Sequence, residues 1–324
     1  MQIYPMKLSD VTKSPIWGGT RLLREWGKTS PNPTVGESWV LTVRENGMSR
    51  VLNGAYAGMP LDRVIALYGK GFLSPEDNGN VKFPLLIKFL DAADTLSVQI
   101  HPDDAYAARV EHDRGKTEMW YIVEADEGAE LVFGLIDGTT KADFAAAVRA
   151  GDPERVLKRR KVHAGETYFI PSGLPHAIGG GILIAEIQQN CDLTYRVYDF
   201  NRRQPDGTLR ELHVEKAIEA VIPYTDEEML AQRYECEPGA DPNGDLLAAC
   251  RYFRVEKHTV RGEEILPGAD RMRHFLCLGG KAAFLWNGER YPVEKGDSYL
   301  LPPCGEMRLS GDAQFLVTTV GTTF

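Results

Sequence analysis

Cysteine is scarce in this chain and what there is lies scattered: Cys191, Cys236, Cys250, Cys277 and Cys304 among 324 residues, with no CxxC spacing. An odd, dispersed set excludes a zinc knuckle or a disulfide framework, so the thiols read as reduced and mostly buried. Long apolar runs are missing too; none approaches the ~20 residues that span a bilayer. The start, MQIYPMKLSD, lacks a basic segment followed by an apolar one, so no signal peptide and a cytoplasmic location are expected. Positive charge is in deficit, with 37 Lys and Arg against 46 Asp and Glu and a net charge of -9. That balance disfavours nucleic acid and anionic membranes as main partners. A local cluster of Lys and Arg can still reverse the field in one cleft, so a small anionic substrate fits.

What is present reads as a soluble globular chain, 43% hydrophobic and long enough for two modest domains. Strand-like stretches dominate, at 37–43, 85–90, 96–101, 119–123, 167–170, 183–188 and 194–198, divided by turns rich in Gly, Pro, Asp and Asn. Many short strands with frequent turns predict a mainly β fold built as a sandwich or barrel. Helical patterning is confined to 61–68, 141–150 after the capping pair Thr139-Thr140, a turn-rich helix near 153–159, and 213–221. These helices read as additions around a β core.

A weak internal repeat suggests how the chain divides. Gly165-Glu-Thr-Tyr-Phe-Ile-Pro171-Ser-Gly173-Leu-Pro-His176 matches Gly296-Asp-Ser-Tyr-Leu-Leu-Pro302-Pro-Cys-Gly305-Glu-Met-Arg308 in type at most positions. Only the first copy ends in histidine. Two related β domains follow, one chemically equipped and one bare, with a boundary between Ile222 and Asp245.

Side chains two apart on a strand share a face. Ser97, Gln99 and His101 therefore face one way, while Leu96, Val98 and Ile100 face the other. Lys116 and Glu118 repeat the arrangement, and His176 arrives after a Gly-Pro turn. Two imidazoles, a carboxylate and an amide oxygen suit Zn²⁺, with Mn²⁺, Co²⁺ or Fe²⁺ open, so Gln99, His101, Glu118 and His176 are the candidate ligands. The bland alternative is a hydrogen-bonded cluster without metal. A second group comprises Glu186 with Gln188, and Asp192 with Thr194 and Arg196. The Arg196 guanidinium suits a phosphate or an enediolate oxygen, or else pairs with Asp192 to stiffen the barrel mouth. Trp17 and the Gly36-Glu37-Ser38-Trp39 run are candidates for lining a sugar pocket or for core. His112, in a charged loop, and His163, at a turn before Gly165, read as surface residues, while His213, His258 and His274 have no acidic or imidazole partner at ligand spacing.

Taken together, Ile16-Trp-Gly-Gly19, Gly36-Glu-Ser-Trp39, Lys88-Phe-Leu-Asp91, Leu96-Ser-Val-Gln-Ile-His-Pro-Asp-Asp104, Lys116-Thr-Glu-Met-Trp-Tyr121, 165–179, 186–199 and Arg210-Glu-Leu-His213 closely resemble the type I mannose-6-phosphate isomerases of the shorter bacterial branch. The resemblance spans nearly all of the first 220 residues in order; the last third matches only as a degenerate copy. It implies two cupin (jelly-roll) barrels, a catalytic one over 1–232 with helical additions at about 139–160 and 211–221, and a metal-free one over 233–324. It implies one Zn²⁺ per chain on Gln99, His101, Glu118 and His176. It also implies interconversion of mannose 6-phosphate and fructose 6-phosphate, with a catalytic Arg196 and substrate contacts from Lys88, Ser97 and Lys116. Lys116, Glu186 or a zinc-bound water are candidate bases for a proton transfer through a cis-enediol, with a hydride shift the alternative, and Asp192 is a candidate substrate contact. Cys191 departs from the small hydroxyl residue usual before that aspartate. Competing readings are a sugar-phosphate-binding cupin without turnover and an Fe²⁺-dependent cupin oxygenase. Oligomeric state stays open, a homo-oligomer included.

Overall fold

A computed structural model describes residues 2–79, 82–204 and 206–322. The regular structure is mainly antiparallel sheet, as frequent turns and short alternating runs dictate. One six-stranded sheet runs in the order Thr167–Ile170, Glu118–Ala125, Ile182–Gln189, Leu85–Ala92, Glu37–Leu41, Val11–Lys13. A five-stranded sheet faces it, ordered Leu157–Lys161, Glu130–Leu135, His176–Ile178, Val98–Ile100, Tyr195–Tyr198. Their facing interiors carry the chemistry.

Alternation sorts the rest. From the first sheet Ile87, Phe89, Met119, Tyr121, Ala185 and Ile187 point outward into a core shared with Phe253, Phe275 and Phe315 of the C-terminal third. From the second, Val98, Ile100, Val132, Ala177, Tyr195 and Val197 pack on Phe144, Val148, Ala217 and Ile218 of the helices Lys141–Arg149 and Val214–Ala220. The first of these helices starts with a capping box between Thr140 and Asp143. Leu96 lies outside the strand and joins the interior cluster with Trp17, Leu90 and Trp120, so the strict alternation expected from residue 96 begins at Ser97.

The C-terminal third forms a seven-stranded sheet around three 14-residue strands, Phe253–Leu266, Arg273–Trp286 and Met307–Val320. Two glycines let these strands cross closely. A Cβ on Gly280 would stand 2.1 Å from the Asp312 carbonyl, and one on Gly311 would stand 2.4 Å from that of Lys281. The N-terminal Met6–Lys7 strand pairs with Ser298–Leu301, so the chain's start is built into this sheet. Lys28 reinforces the junction, meeting Asp10 at 2.9 Å and the Gly296 carbonyl at 2.6 Å.

Three features depart from the pattern read in the sequence. The helix expected near 153–159 is a 3₁₀ turn at Pro153–Val156 followed by an edge strand, Leu157–Lys161. Its Lys-Arg-Arg-Lys composition hides a strand whose charges guard a sheet edge. A helix at Asp226–Arg233, capped by Thr225 and Glu228, lies within the stretch read as a boundary. Asp104–Val110 is a further helix, capped by Asp103. The five cysteines are unpaired; Cys191, Cys250 and Cys277 are buried and Cys236 is exposed. Among the described residues no helix is long and apolar enough to cross a membrane.

Candidate active site and metal centre

Strand register assembles the site. On the five-stranded sheet His176 lies opposite Gln99, and Gln99 lies opposite Arg196, so all three occupy one row on one face. On the six-stranded sheet Trp120 lies opposite Glu186, Glu186 opposite Lys88 and Lys88 opposite Trp39. Glu118 sits in the next row, opposite Gln188. The turn that delivers His176 depends on Gly173, whose φ is +87° and whose missing Cβ would collide with Ile222 Cγ1 at 2.7 Å.

His101, Glu118 and His176 converge in the barrel, all fully or almost fully buried. His101 Nε2 stands 3.2 Å from His176 Nε2, and each lies 3.6 Å from a Glu118 oxygen. Backbone carbonyls fix both rings: His101 Nδ1 meets Leu193 O and His176 Nδ1 meets Leu174 O, each at 2.8 Å. A carbonyl only accepts, so Nδ1 carries the hydrogen and both Nε2 lone pairs face inward. Burial, with Lys116 and His176 adding to it, holds His101 far below the ordinary imidazole range, and burial holds His176 at about 4. Both are neutral, as metal ligands must be.

A divalent metal fits this donor set. At metal–nitrogen bonds of about 2.0–2.1 Å, two tetrahedral ligand atoms stand about 3.3 Å apart, close to what the imidazoles show. Both Glu118 oxygens are buried and lack an in-line hydrogen bond, although Lys116 Nζ meets Oε2 as an ion pair at 2.7 Å. Two inward imidazole lone pairs and a buried carboxylate packed together call for positive charge, of which Lys116 supplies one. Gln99, half-buried in the same row, is positioned to add a fourth oxygen.

The charged neighbours are dense. Lys116 Nζ also lies 3.1 Å from His101 Nε2 and 3.8 Å from Glu186 Oε1. Glu186 takes Lys88 at 2.9 Å on Oε1 and the Trp120 indole N–H at 2.9 Å on Oε2. Burial pushes Glu186 upward, but Lys88 and Lys116 outweigh it and leave the carboxyl below its ordinary value. Burial and the facing Glu186 push Glu118 up to about 7. Lys88 is buried against its charge, yet Glu186 and Glu37 reverse that and raise its pKa, so it stays an ammonium. Ser97 is buried just ahead of the Val98–Ile100 strand.

Two candidates are differently engaged. Arg196 does not pair with Asp192: its guanidinium donates to the Glu211 carbonyl at 2.8 Å, and its backbone N–H donates to His213 Nδ1 at 3.1 Å. Asp192 is taken by Arg44 at 2.6 Å and Asn46 at 2.8 Å. Sequence reasoning missed Trp120 as a partner of Glu186, and Glu37, which lies 3.8 Å from Lys88 with Trp39 N–H on its Oε2 at 2.7 Å. It also missed Arg202 and Arg210, which converge on the buried Asp199. The signal for the tryptophans was the repeated Glu-x-Trp step, Glu37-Ser-Trp39 and Glu118-Met-Trp120.

Residues 6–146 match the family model for the phosphomannose isomerase type I catalytic domain, and 244–320 match that for the mannose-6-phosphate isomerase cupin domain. The mannose-6-phosphate isomerase ManA of Bacillus subtilis is 38% identical over 321 residues, 98% of this chain and 99% of that one. The chain belongs to the type I mannose-6-phosphate isomerase family. A mannose-6-phosphate isomerase of Streptococcus mutans is likewise 38% identical, over 92% of each chain. The crystal structure of a Bacillus subtilis mannose 6-phosphate isomerase superposes with a TM-score of 0.85 at 32% identity, covering 98% of this chain and 99% of that one. The apo form of the Salmonella typhimurium enzyme shares the fold, at TM-score 0.72 and 16% identity over 98% and 99% of the two chains. Membership of this family and the His–Glu–His cluster together point to a metal-dependent isomerase of mainly β, cupin architecture.

Proposed function

We propose that this chain interconverts mannose 6-phosphate and fructose 6-phosphate at one Zn²⁺ per chain held by Gln99, His101, Glu118 and His176. The observation that carries the reading is the buried triangle of His101, Glu118 and His176, with Lys116 and Glu186 beside it, inside a chain of this family. When bound, such an ion polarises the carbonyl and hydroxyl oxygens of an open-chain sugar; other divalent metals could serve in the same donor set.

The residues supply the rest. A base takes the proton from C2 of the aldose, the C–H electron pair becomes the C1–C2 double bond, and the C1 carbonyl pair moves onto O1, which takes a proton to give a cis-enediol. The O2–H proton then leaves to make good the one given to O1, the C2 carbonyl forms, and the base returns its proton to C1. Lys116 and Glu186, 3.8 Å apart, are the groups suited to hold and return that proton. Arg196, a permanent cation in the Gln99 row, serves to stabilise the oxyanion that develops. Lys88 and Ser97 serve to grip the phosphorylated substrate, so binding at the unreacting end orients the reacting carbons. Asp192, in its pair with Arg44, serves the substrate rim.

We further assign the catalytic barrel to 1–232 and the bare barrel to 233–324, with the Met6–Lys7 strand lent to the second. The unpaired thiols support a reducing, cytoplasmic setting. Turnover of mannose 6-phosphate, read by fructose 6-phosphate formation before and after chelation, tests the reading. Activity lost with chelator and regained with zinc is the expected result; metal-loaded, folded protein without turnover overturns it. Product formed in D₂O carries solvent deuterium if the proton transfer holds, and none if hydrogen moves as hydride.

A further inference from the structure

The Trp120 indole is fully buried and touches two functional groups at once. Its N–H donates to Glu186 Oε2 at 2.9 Å, and its ring meets His176 edge-on, with centroids 5.3 Å apart and planes at 75°. An indole nitrogen only donates, and a carboxyl hydroxyl accepts poorly. Oε2 is therefore held as an acceptor, and the carboxylate of Glu186 is fixed with Oε1 toward Lys88 and Lys116. That oxygen is buried and faces the two ammonium groups, 2.9 Å from Lys88 and 3.8 Å from Lys116.

Trp39 provides an internal comparison. It follows Glu37 by two residues, as Trp120 follows Glu118, but its N–H turns back to its own glutamate at 2.7 Å. Trp120 instead crosses to the neighbouring strand, because Glu186 is its register partner and Glu118 lies in the adjacent row. Lys88 stands between the two tryptophan-held carboxylates, 2.9 Å from Glu186 and 3.8 Å from Glu37.

We propose that Trp120 is a positioning residue: its N–H reserves Oε2 of Glu186 and so presents Oε1 to the substrate carbon beside Lys116. The proposal rests on the isomerase reading above and goes beyond it by naming what aims the Glu186 carboxylate. Trp120→Phe keeps an aromatic edge on His176 and deletes the N–H. The expected result is a fall in kcat of about 10- to 100-fold, the usual effect of losing an outer partner of a site group. KM for mannose 6-phosphate and zinc bound per chain should stay at parental values. In a Glu186→Ala background the same substitution should cost nothing further, since the group it acts through is gone. Parental kcat in Trp120→Phe overturns the proposal, as does an equal fold-loss in both backgrounds, or a loss explained by missing zinc. Should Trp120→Phe fail to fold, benzothienylalanine placed at position 120 keeps the bicyclic shape without the N–H and is read in the same way. A parent inactive with zinc bound defeats the isomerase reading itself, whereas an active parent with an unimpaired Trp120→Phe defeats only this inference.

Discussion

Gly165 and Gly296 both adopt positive φ, 93° and 87°, and each opens a four-residue strand, Thr167–Ile170 in one half and Ser298–Leu301 in the other. Their N–H groups even find equivalent acceptors, the Ile122 and Cys277 carbonyls, at 2.8 and 2.9 Å. Beyond the turn the copies diverge. The first delivers His176 to the buried cluster; the second places Arg308 at the surface, paired with Glu263 at 3.0 Å. Around the first lie Lys88, Lys116, Glu118 and Glu186, whereas the second encloses Phe275, Phe284, Leu309 and Phe315. The buried histidine of the second half, His274, shows what an imidazole does without ligand company. Its Nε2 donates to Ser298 Oγ at 2.8 Å, that hydroxyl donates to the Val40 carbonyl at 2.7 Å, and Nδ1 has no partner. One scaffold thus carries either a reactive polar interior or a packed one, and which it becomes depends on a handful of inward positions.

The comparison breaks most decisively at the metal. His176→Ala should lower kcat on the order of a thousandfold or more, because a bound metal contributes several kcal/mol to such a reaction. Elemental analysis of the purified variant should show the metal depleted. In the packed half the expected effect is on stability. Phe315→Ala should cost about 3–5 kcal/mol in urea unfolding while the folded fraction keeps its kcat. A variant that loses activity at unchanged stability would erase the division of labour.

Arg196→Lys should lower kcat about a hundredfold with a smaller change in KM, since a lysine keeps the charge but loses the planar fork. Steady-state kinetics on mannose 6-phosphate reads this directly. The smallest effect is pH-linked. Burial holds the folded-state pKa of His274 at about 3, against an ordinary 6.5. Between those values the unfolded chain binds more protons, so stability is full above about 6.5 and is lost as pH falls. The loss is at most about 1.4 kcal/mol per pH unit from this one group. His274→Gln should unfold with a shallower pH slope than the parent between pH 7 and 5; identical slopes would mean that His274 is not buried as described.

Much of this was legible because a strand's two-residue period is visible in one dimension. Gln99 and His101 two apart, Lys116 and Glu118 two apart, and a histidine after a Gly-Pro turn pointed to the buried cluster of His101, Glu118 and His176 that the structure shows. What stayed hidden was register. Glu186 meets Trp120 across 66 residues of sequence, and nothing local marks which strand pairs with which. Asp192 and Arg196 look like partners at four residues apart, but Arg44 reaches Asp192 from 148 residues away. The edge strand Leu157–Lys161 was missed because its charges conceal its period, and the Met6–Lys7 strand because its partners lie at the other end of the chain.

The central claim, one metal in the first barrel and none in the second, is tested most directly by anomalous diffraction at the zinc edge from crystals of the zinc-loaded protein. The account predicts a single peak per chain within bonding distance of His101 Nε2, His176 Nε2, a Glu118 oxygen and the Gln99 side-chain oxygen. A peak elsewhere, or none among these residues, would contradict it.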